Sequence, residues 1–306
     1  MNRGAGTHTH SSTGDTDRSE LEQLLPKLRQ RVHRYCARML GSVIDGEDAV
    51  QDAFTRAIEA RAGLGSLDNP EAWVFRIAHN AVIDSLRRRA RHPEFAADEE
   101  LSTMADPRSL LDDYLATTSS LQTFLRLPVS QRSCVILMDV LGYSLKEIES
   151  MTTLTLPAIK ASLHRGRERL REFAKEPDEA PAPALGENER RWLVAYADRF
   201  NARDFDAVRD LLAEEIRLEV VTRATLVGKA QVAGVYFENY AQATDWYFVP
   251  GLVELRPAVL AVDPSGPAKR PRYFILLDWK DGKVEQSRDF RHATYVVEGA
   301  TITLLR

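Results

Sequence analysis

Apolar residues recur with helical spacing through the first third of the chain. Leu21, Leu24, Leu25, Leu28, Val32, Tyr35, Cys36, Met39 and Leu40 form one stripe, which Gly41 stops. Asp45, Glu47 and Asp48 then open a second helix, where the N-terminal dipole favours acids, and Val50, Phe54, Ala57 and Ile58 continue it. After the loop 62–69, Pro70 opens a third helix with Trp73, Ile77 and Ala81 inward. Farther along, Ser144 and Glu147 have the spacing of a capping box before a short helix. Thr155 then caps a longer helix, with Pro157 in its first turn and Ile159, Leu163 and Leu170 as its packing stripe. A short helix, a tight turn and a longer basic helix predict a helix-turn-helix.

The pattern changes class near the C-terminus. Residues 190–201 and 205–212 read as helices, and 232–242 as a further one. Ile216, Leu218 and Val220 alternate with Glu215, Arg217 and Glu219, as in a half-buried strand. Strand-like runs follow at 246–249, 253–262, 273–279, 284–290, 294–297 and 301–305. Asp281-Gly282 is the signal of a type I′ hairpin turn between two of them. Helices first, then an antiparallel meander, predict an α+β domain.

Length and charge turn these elements into an organisation. The chain has 306 residues, enough for two or three domains, and a formal net charge of −4. Residues 1–176 hold 24 Lys+Arg against 25 Asp+Glu, so any affinity for nucleic acid must come from local clusters. Two exist, at Arg87-Arg88-Arg89-x-Arg91 and between Lys160 and Lys175, and the segment between them is acidic. The expected division is a disordered tail 1–19, a helical module 20–92, an acidic linker 93–120 and the helix-turn-helix module 121–175. A proline-rich linker 176–186 and the α+β domain 187–306 complete it. Cys36 and Cys134 lack the paired spacing of a disulfide framework or zinc site, and no apolar run approaches the roughly 20 residues of a membrane span. A cytoplasmic protein without cofactor, metal or membrane partner is expected.

The polar faces carry the candidate chemistry. Arg76, Asn80, Asp84, Arg87 and Arg91 step along one side of the third helix, with Arg88 beside them. Arg and Asn can hold phosphates or make paired bonds to base edges. On the last helix of the helix-turn-helix, Lys160, His164, Arg167 and Arg171 share a stripe next to the apolar one, with Arg165 adjacent. A helix that packs by one side and presents cations on another is suited to a DNA groove. A solvated amphipathic helix gives the same pattern, so each module alone leaves both readings open.

Two longer matches favour the DNA reading. Asp45-x-Glu47-Asp48-x-Val50-Gln51-Asp52-x-Phe54 resembles region 2.2 of bacterial sigma factors. Trp73-Val74-x-Arg76-Ile77-Ala78-x-Asn80, with Asp84 and Arg87-Arg88 beyond it, resembles regions 2.3 and 2.4. The stretch 127–171 resembles region 4 of the extracytoplasmic-function class, through Leu127-Pro128, Arg132, Glu147-Ile148, Ile159-Lys160 and Leu163-His164-Arg165-x-Arg167. It departs from that class at Thr152-Thr153, where glycine is usual, and at Ala158 and Ser162.

The resemblance implies roles. Asp45, Glu47, Asp48, Gln51, Asp52 and Phe54 would dock on the β′ clamp of core RNA polymerase, and region 4 would meet the β flap. Leu64, Leu67 and Trp73 would receive a base flipped from the minus-10 element, whose duplex meets Arg76, Asn80, Asp84, Arg87, Arg88 and Arg91. Thr155, Lys160, His164, Arg165, Arg167 and Arg171 would enter the major groove of the minus-35 element. On that expectation Arg167→Ala flattens the salt dependence of promoter binding.

The C-terminal pattern resembles the cone-like α+β fold of the SnoaL-like/NTF2-like superfamily. That extension occurs in one group of these sigma factors and implies a regulatory role. Asp281-Gly282-Lys283-Val284 matches a loop motif of those extensions. Asp245, Asp289, His292, Tyr236 and Tyr240 are candidate cone residues, and a small-molecule ligand is a possible partner. A polymerase-independent operator-binding regulator and an enzyme with an appended DNA-binding part are the alternatives. The expected free state is compact, with the last domain packed between the two helical modules.

Overall fold

The computed structural model describes residues 12–61, 67–89, 110–176, 185–243, 246–263 and 271–305. They form two compact units, 1–178 and 179–306. Helices α1 (Ser12–Leu40), α2 (Val43–Arg61) and α3 (Pro70–Arg89) begin the first unit. The apolar stripe of α1 is buried from Leu21 to Leu40 apart from half-buried Leu24, with Val32, Tyr35, Cys36 and Met39 at 0 % exposure. Gly41 ends this helix with a left-handed φ of 75°, and a Cβ there would stand 2.4 Å from the Leu125 side chain. Asn69 caps α3 by accepting from the Ala72 N–H at 3.0 Å.

Helices α4 (Leu110–Thr118), α5 (Leu121–Leu125) and α6 (Val129–Val135) follow, α6 running on as a π-helical turn over Ile136–Val140. The helix-turn-helix is α7 (Leu145–Met151) and α8 (Leu156–Phe173). Its caps are those the sequence predicts. The Glu147 N–H donates to Ser144 Oγ, and the Ser144 N–H donates to the Glu147 carboxylate at 2.7 Å. Thr155 accepts from the Ala158 N–H, with Pro157 in the first turn.

Three expectations for this unit change. Helix begins at Ser12, so part of the expected tail 1–19 belongs to α1. Residues 110–118 of the expected acidic linker form α4, which packs on α8 and the π-helical turn. The two helical modules are not held apart: α1 touches α5 and α6, α3 touches α7, and one apolar core runs from Leu21 to Leu170. Helix α3 therefore has two buried sides, with Ala72, Val74, Phe75, Ala78, Ala81 and Val82 all buried and Trp73 and Ile77 half-buried.

The second unit opens with α9 (Glu187–Asn201) and α10 (Phe205–Asp210). Strands β1 (Leu212–Val220) and β2 (Ala224–Val227), helices α11 (Lys229–Gln231) and α12 (Phe237–Gln242), then β3 (Tyr247–Val253), β4 (Arg256–Val262), β5 (Tyr273–Lys280), β6 (Lys283–Asp289) and β7 (Ile302–Leu304) complete it. The seven strands make one sheet in the order β2-β1-β6-β5-β4-β3-β7. Leu193, Tyr196 and Phe200 of α9 join Val259, Tyr273, Ile275 and Leu277 in its core. This is the α+β architecture expected, with the predicted hairpin at Asp281 (φ 50°) and Gly282 (φ 76°).

The details differ in three places. The sheet is mixed, because β1 pairs parallel with β6. The run 253–262 is broken by a turn at Glu254 (φ 51°) and Leu255 (φ 67°), two residues without the Asn-Gly signature of such a turn. Thr294–Val297 is a 3-10 helix that buries only Val296, since its N–H bonds its own chain at Ala293 instead of a neighbouring strand.

Candidate nucleic-acid interface

Helix α2 presents a polar face of Asp48, Gln51 and Thr55, flanked by half-exposed Asp52 and Arg56. Asp52 and Arg56 pair at 2.8 Å, and Asp45 pairs with Arg89 of α3 at 3.0 Å. Two residues expected on this face lie inside. Glu47 is 2 % exposed and ion-paired with Arg29, and Phe54 is 5 % exposed beneath the same guanidinium, 5.1 Å from its ring centroid. Both sit on the side of α2 turned to α1, where the acidic run continues past the solvent face.

On α3, Arg76, Asn80, Arg87 and Arg88 are exposed and Asp84 half-exposed, so the predicted face exists. Asp84 lies 3.9 Å from Arg87 and 3.6 Å from Arg56, which holds the two guanidinium groups at one edge. Leu67 and Trp73 are half-buried. Leu64 and Arg91 lie outside the described residues.

Helix α8 departs most from expectation. Thr155, Pro157 and Lys160 are exposed at its start, with His164 half-buried one turn on and 3.6 Å from Glu168. Arg167 is buried: Nε and Nη2 donate to the two Asp139 oxygens at 3.0 and 2.7 Å, and the side chains are 3 % and 0 % exposed. Arg171 donates from Nε and Nη2 to Asp112 of α4, at 2.9 Å each. Arg165 is half-buried. A helix packed by α6, α7 and α4 has a narrow free face, so the cations of its second half are drawn to carboxylates of neighbouring elements. The exposed cationic surface of this helix is its N-terminal half.

The contacts joining the two modules were not legible in the sequence. Arg132 donates to the carbonyls of Met39 at 2.6 Å, Leu125 at 2.9 Å and Leu127 at 2.8 Å, and burial pulls its pKa down to about 10. Glu71 accepts from Arg31 at 2.7 Å and from the Tyr143 hydroxyl at 2.5 Å. Arg31 lies over the Tyr143 ring, 4.5 Å from its centroid, and Phe75 meets that ring edge-on at 5.1 Å. The Tyr35 hydroxyl meets His79 Nδ1 at 2.6 Å and Ser133 Oγ at 3.1 Å. Burial pushes His79 down to about 4, so its ring is neutral. The partners stand up to 110 residues apart, as for Arg31 and Leu141, and no local periodicity relates them.

The α+β unit holds a separate polar cluster. Asp289, 1 % exposed, accepts from the Tyr236 and Tyr240 hydroxyls at 2.9 and 2.8 Å and from the Arg291 N–H at 2.8 Å. Burial raises its pKa above the ordinary carboxyl range, against the lowering effect of those bonds. His292 is partly exposed and shifted down by burial, and Asp245 lies outside the described residues. Asp281 and Gly282 form the β5–β6 turn beside Trp192, Lys283 reaches the Asp210 carbonyl, and Val284 is fully buried. Among the described residues no group of His, Cys, Asp and Glu could hold a metal ion, and no helix is long and apolar enough to cross a membrane.

Comparison with known proteins matches residues 24–92 to the Sigma-70 region 2 family and 121–170 to the Sigma-70, region 4 family. The ECF RNA polymerase sigma factor SigM of Mycobacterium tuberculosis is 32 % identical over 157 residues, covering 50 % of this chain and 76 % of that protein. The structure of the extracytoplasmic function sigma factor SigJ of the same organism aligns over 88 % of this chain and 95 % of its own, at 17 % identity and a TM-score of 0.35. A SnoaL-like protein of unknown function from Burkholderia thailandensis aligns over 35 % of this chain and 97 % of its own, at 19 % identity and a TM-score of 0.29.

Proposed function

This chain belongs to the extracytoplasmic-function RNA polymerase sigma factors, and from that membership we propose how its surfaces divide the work. The polar face of α2, with Asp48, Gln51 and Asp52, docks on the clamp of core polymerase. Arg76, Asn80, Arg87 and Arg88 of α3 engage the minus-10 element, where Leu67 and Trp73 are the apolar neighbours of a flipped base. The start of α8, with Thr155, Lys160 and His164, enters the major groove at minus-35. The α+β domain regulates initiation and performs no catalysis of its own.

The observation that carries this reading is α3. Two of its sides are core, while four exposed Arg and Asn side chains line the remaining one. A helix serving only as scaffold would have no need to keep three Arg and an Asn exposed together around the single acid Asp84. Run-off transcription with core polymerase tests the proposal, using the full chain and a chain ending at Lys175. Promoter-dependent transcript is expected from the full chain, and a changed yield on shortening gives the sign of the C-terminal effect. Duplex binding without any transcript would instead favour an operator-binding regulator.

A further inference from the structure

The charges of the α+β unit are sorted in space. Residues 177–306 hold 17 Lys+Arg against 20 Asp+Glu, yet one end of the sheet is cationic. The pairings of β1 with β6, β6 with β5, β5 with β4 and β4 with β3 gather at that end the C-termini of β1, β4 and β6 and the N-termini of β3 and β5. Arg223 follows β1 there, Arg272 precedes β5, and Arg291 and His292 follow β6. The described acids beside them are Asp263, exposed after β4, and Asp289, buried beneath. Glu219, one residue back from the edge, is committed to Arg288 at 2.9 Å.

Two fixed turns present these cations. The Val221 N–H donates to the Asp289 carbonyl and the Arg223 N–H to the Val220 carbonyl, each at 2.9 Å, around Thr222 with a left-handed φ of 70°. That conformation is uncommon for a β-branched residue and persists only where the surroundings hold it. After β6, the Arg291 N–H donates to Asp289 Oδ1 at 2.8 Å and the Ala293 N–H to the Phe290 carbonyl at 2.9 Å. Arg291 lies over the Tyr240 ring, 4.8 Å from its centroid. Trp246, 5.5 Å from that ring and 5 % exposed, lies beneath Arg203, and its indole N–H has no acceptor among the described residues. A buried donor of this kind calls for an acceptor from outside the chain, and like charges held together call for a counter-charge.

We infer that this end of the α+β unit binds a small molecule bearing an oxyanion, whose carboxylate or phosphate is held by Arg223, Arg291 and His292. Guanidinium groups suit both headgroups, because their paired N–H donors face two oxygens at once. His292 stands within reach of both arginines: burial and then the charge of Arg223 lower its pKa, Asp289 opposes, and Arg291 adds to the lowering. The three groups sit on two adjoining turn tips. That is a compact grip for one headgroup, whereas a surface that tracks a nucleic-acid backbone spreads its cations along a stripe. The site does not depend on transcription; that its ligand sets promoter output rests on the regulatory reading above.

Calorimetric titration of the full chain at low salt tests the site, with inorganic phosphate, benzoate and neutral benzamide as probes. Phosphate or benzoate is expected to bind in the millimolar range or tighter and benzamide not to bind, and the tighter anion identifies the headgroup. Arg223→Gln, at an exposed position, and Arg291→Gln are each expected to weaken that binding about tenfold or more. NMR titration of His292 gives a second readout, since a bound anion raises its pKa. No binding of either anion, or binding that both variants leave unchanged, overturns the site. Loss of duplex affinity in Arg223→Gln, with no anion bound by the wild-type chain, marks a DNA contact and overturns it as well. Adding the bound anion to run-off transcription separates the two claims: an unchanged yield removes the regulatory reading and leaves the site standing.

Discussion

Arg167 separates the sequence-based account of α8 from the structural one, and Arg167→Ala is the informative change. Its guanidinium makes a two-pronged pair with Asp139, and both side chains are withdrawn from water. Truncation removes the two-pronged partner of the buried Asp139 carboxylate, which costs about 3–5 kcal/mol. For a unit of this size that corresponds to a loss of roughly 6–20 °C in melting temperature. Replacing both partners, Arg167→Met with Asp139→Leu, recovers most of it, because an apolar pair of similar volume needs no compensation. Calorimetry of the full chain reads the stability, and the salt dependence of promoter binding, measured below the lowered transition, reads the DNA contact. Arg167→Ala is expected to keep the wild-type slope, whereas Lys160→Ala flattens it by about 0.9 and changes stability by no more than about 0.5 kcal/mol. An Arg167→Ala protein that melts like wild type and binds DNA with a flattened slope would refute the burial argument.

Other expectations follow from individual groups. His79 has a folded pKa of about 4 against an ordinary 6.5, so the unfolded chain takes up its proton first as pH falls. Stability of the first unit therefore drops from about pH 6.5 down through about 4, by on the order of 3 kcal/mol, and urea unfolding of His79→Gln should lack that part of the slope. Asp289 behaves in the opposite sense. Its pKa is raised, so stability is greatest below the ordinary 3.8 and is lost as pH rises through the folded value; Asp289→Asn should flatten this trend in the melting of the second unit. If wild type and Asp289→Asn melt in parallel across that range, the carboxyl is not desolvated as described. Gly41→Ala should cost upward of 1 kcal/mol, since it combines a φ of 75° with a Cβ 2.4 Å from Leu125, and an unchanged unfolding midpoint would show that the loop can shift freely.

Local chemistry was readable because it acts over a few residues. The Ser144–Glu147 capping box and the Thr155 cap involve neighbours three apart, and the Asp281-Gly282 turn needs only two residues to specify it. The exposed row on α3 was legible for the same reason, being one face of a single helix. Glu47, Phe54, Arg167 and Arg171 were misplaced because each lies at the margin of a stripe, where packing by another element decides which way it faces. The Glu254-Leu255 turn was missed because neither residue advertises a left-handed conformation.

By itself the sequence determined the helices of the two motifs, the Ser144–Glu147 and Thr155 caps, the exposed row on α3, the α+β class of the C-terminal domain and the order of regions 2 and 4. All of these follow from periodicity and near-neighbour chemistry. Only the tertiary structure decided which cations remain available to DNA, and that regions 2 and 4 share one core through Arg132, Glu71 and Tyr143. Those outcomes depend on burial and on partners tens of residues distant. The free energy of a charge is set by what surrounds it in space, and a linear pattern does not contain that information.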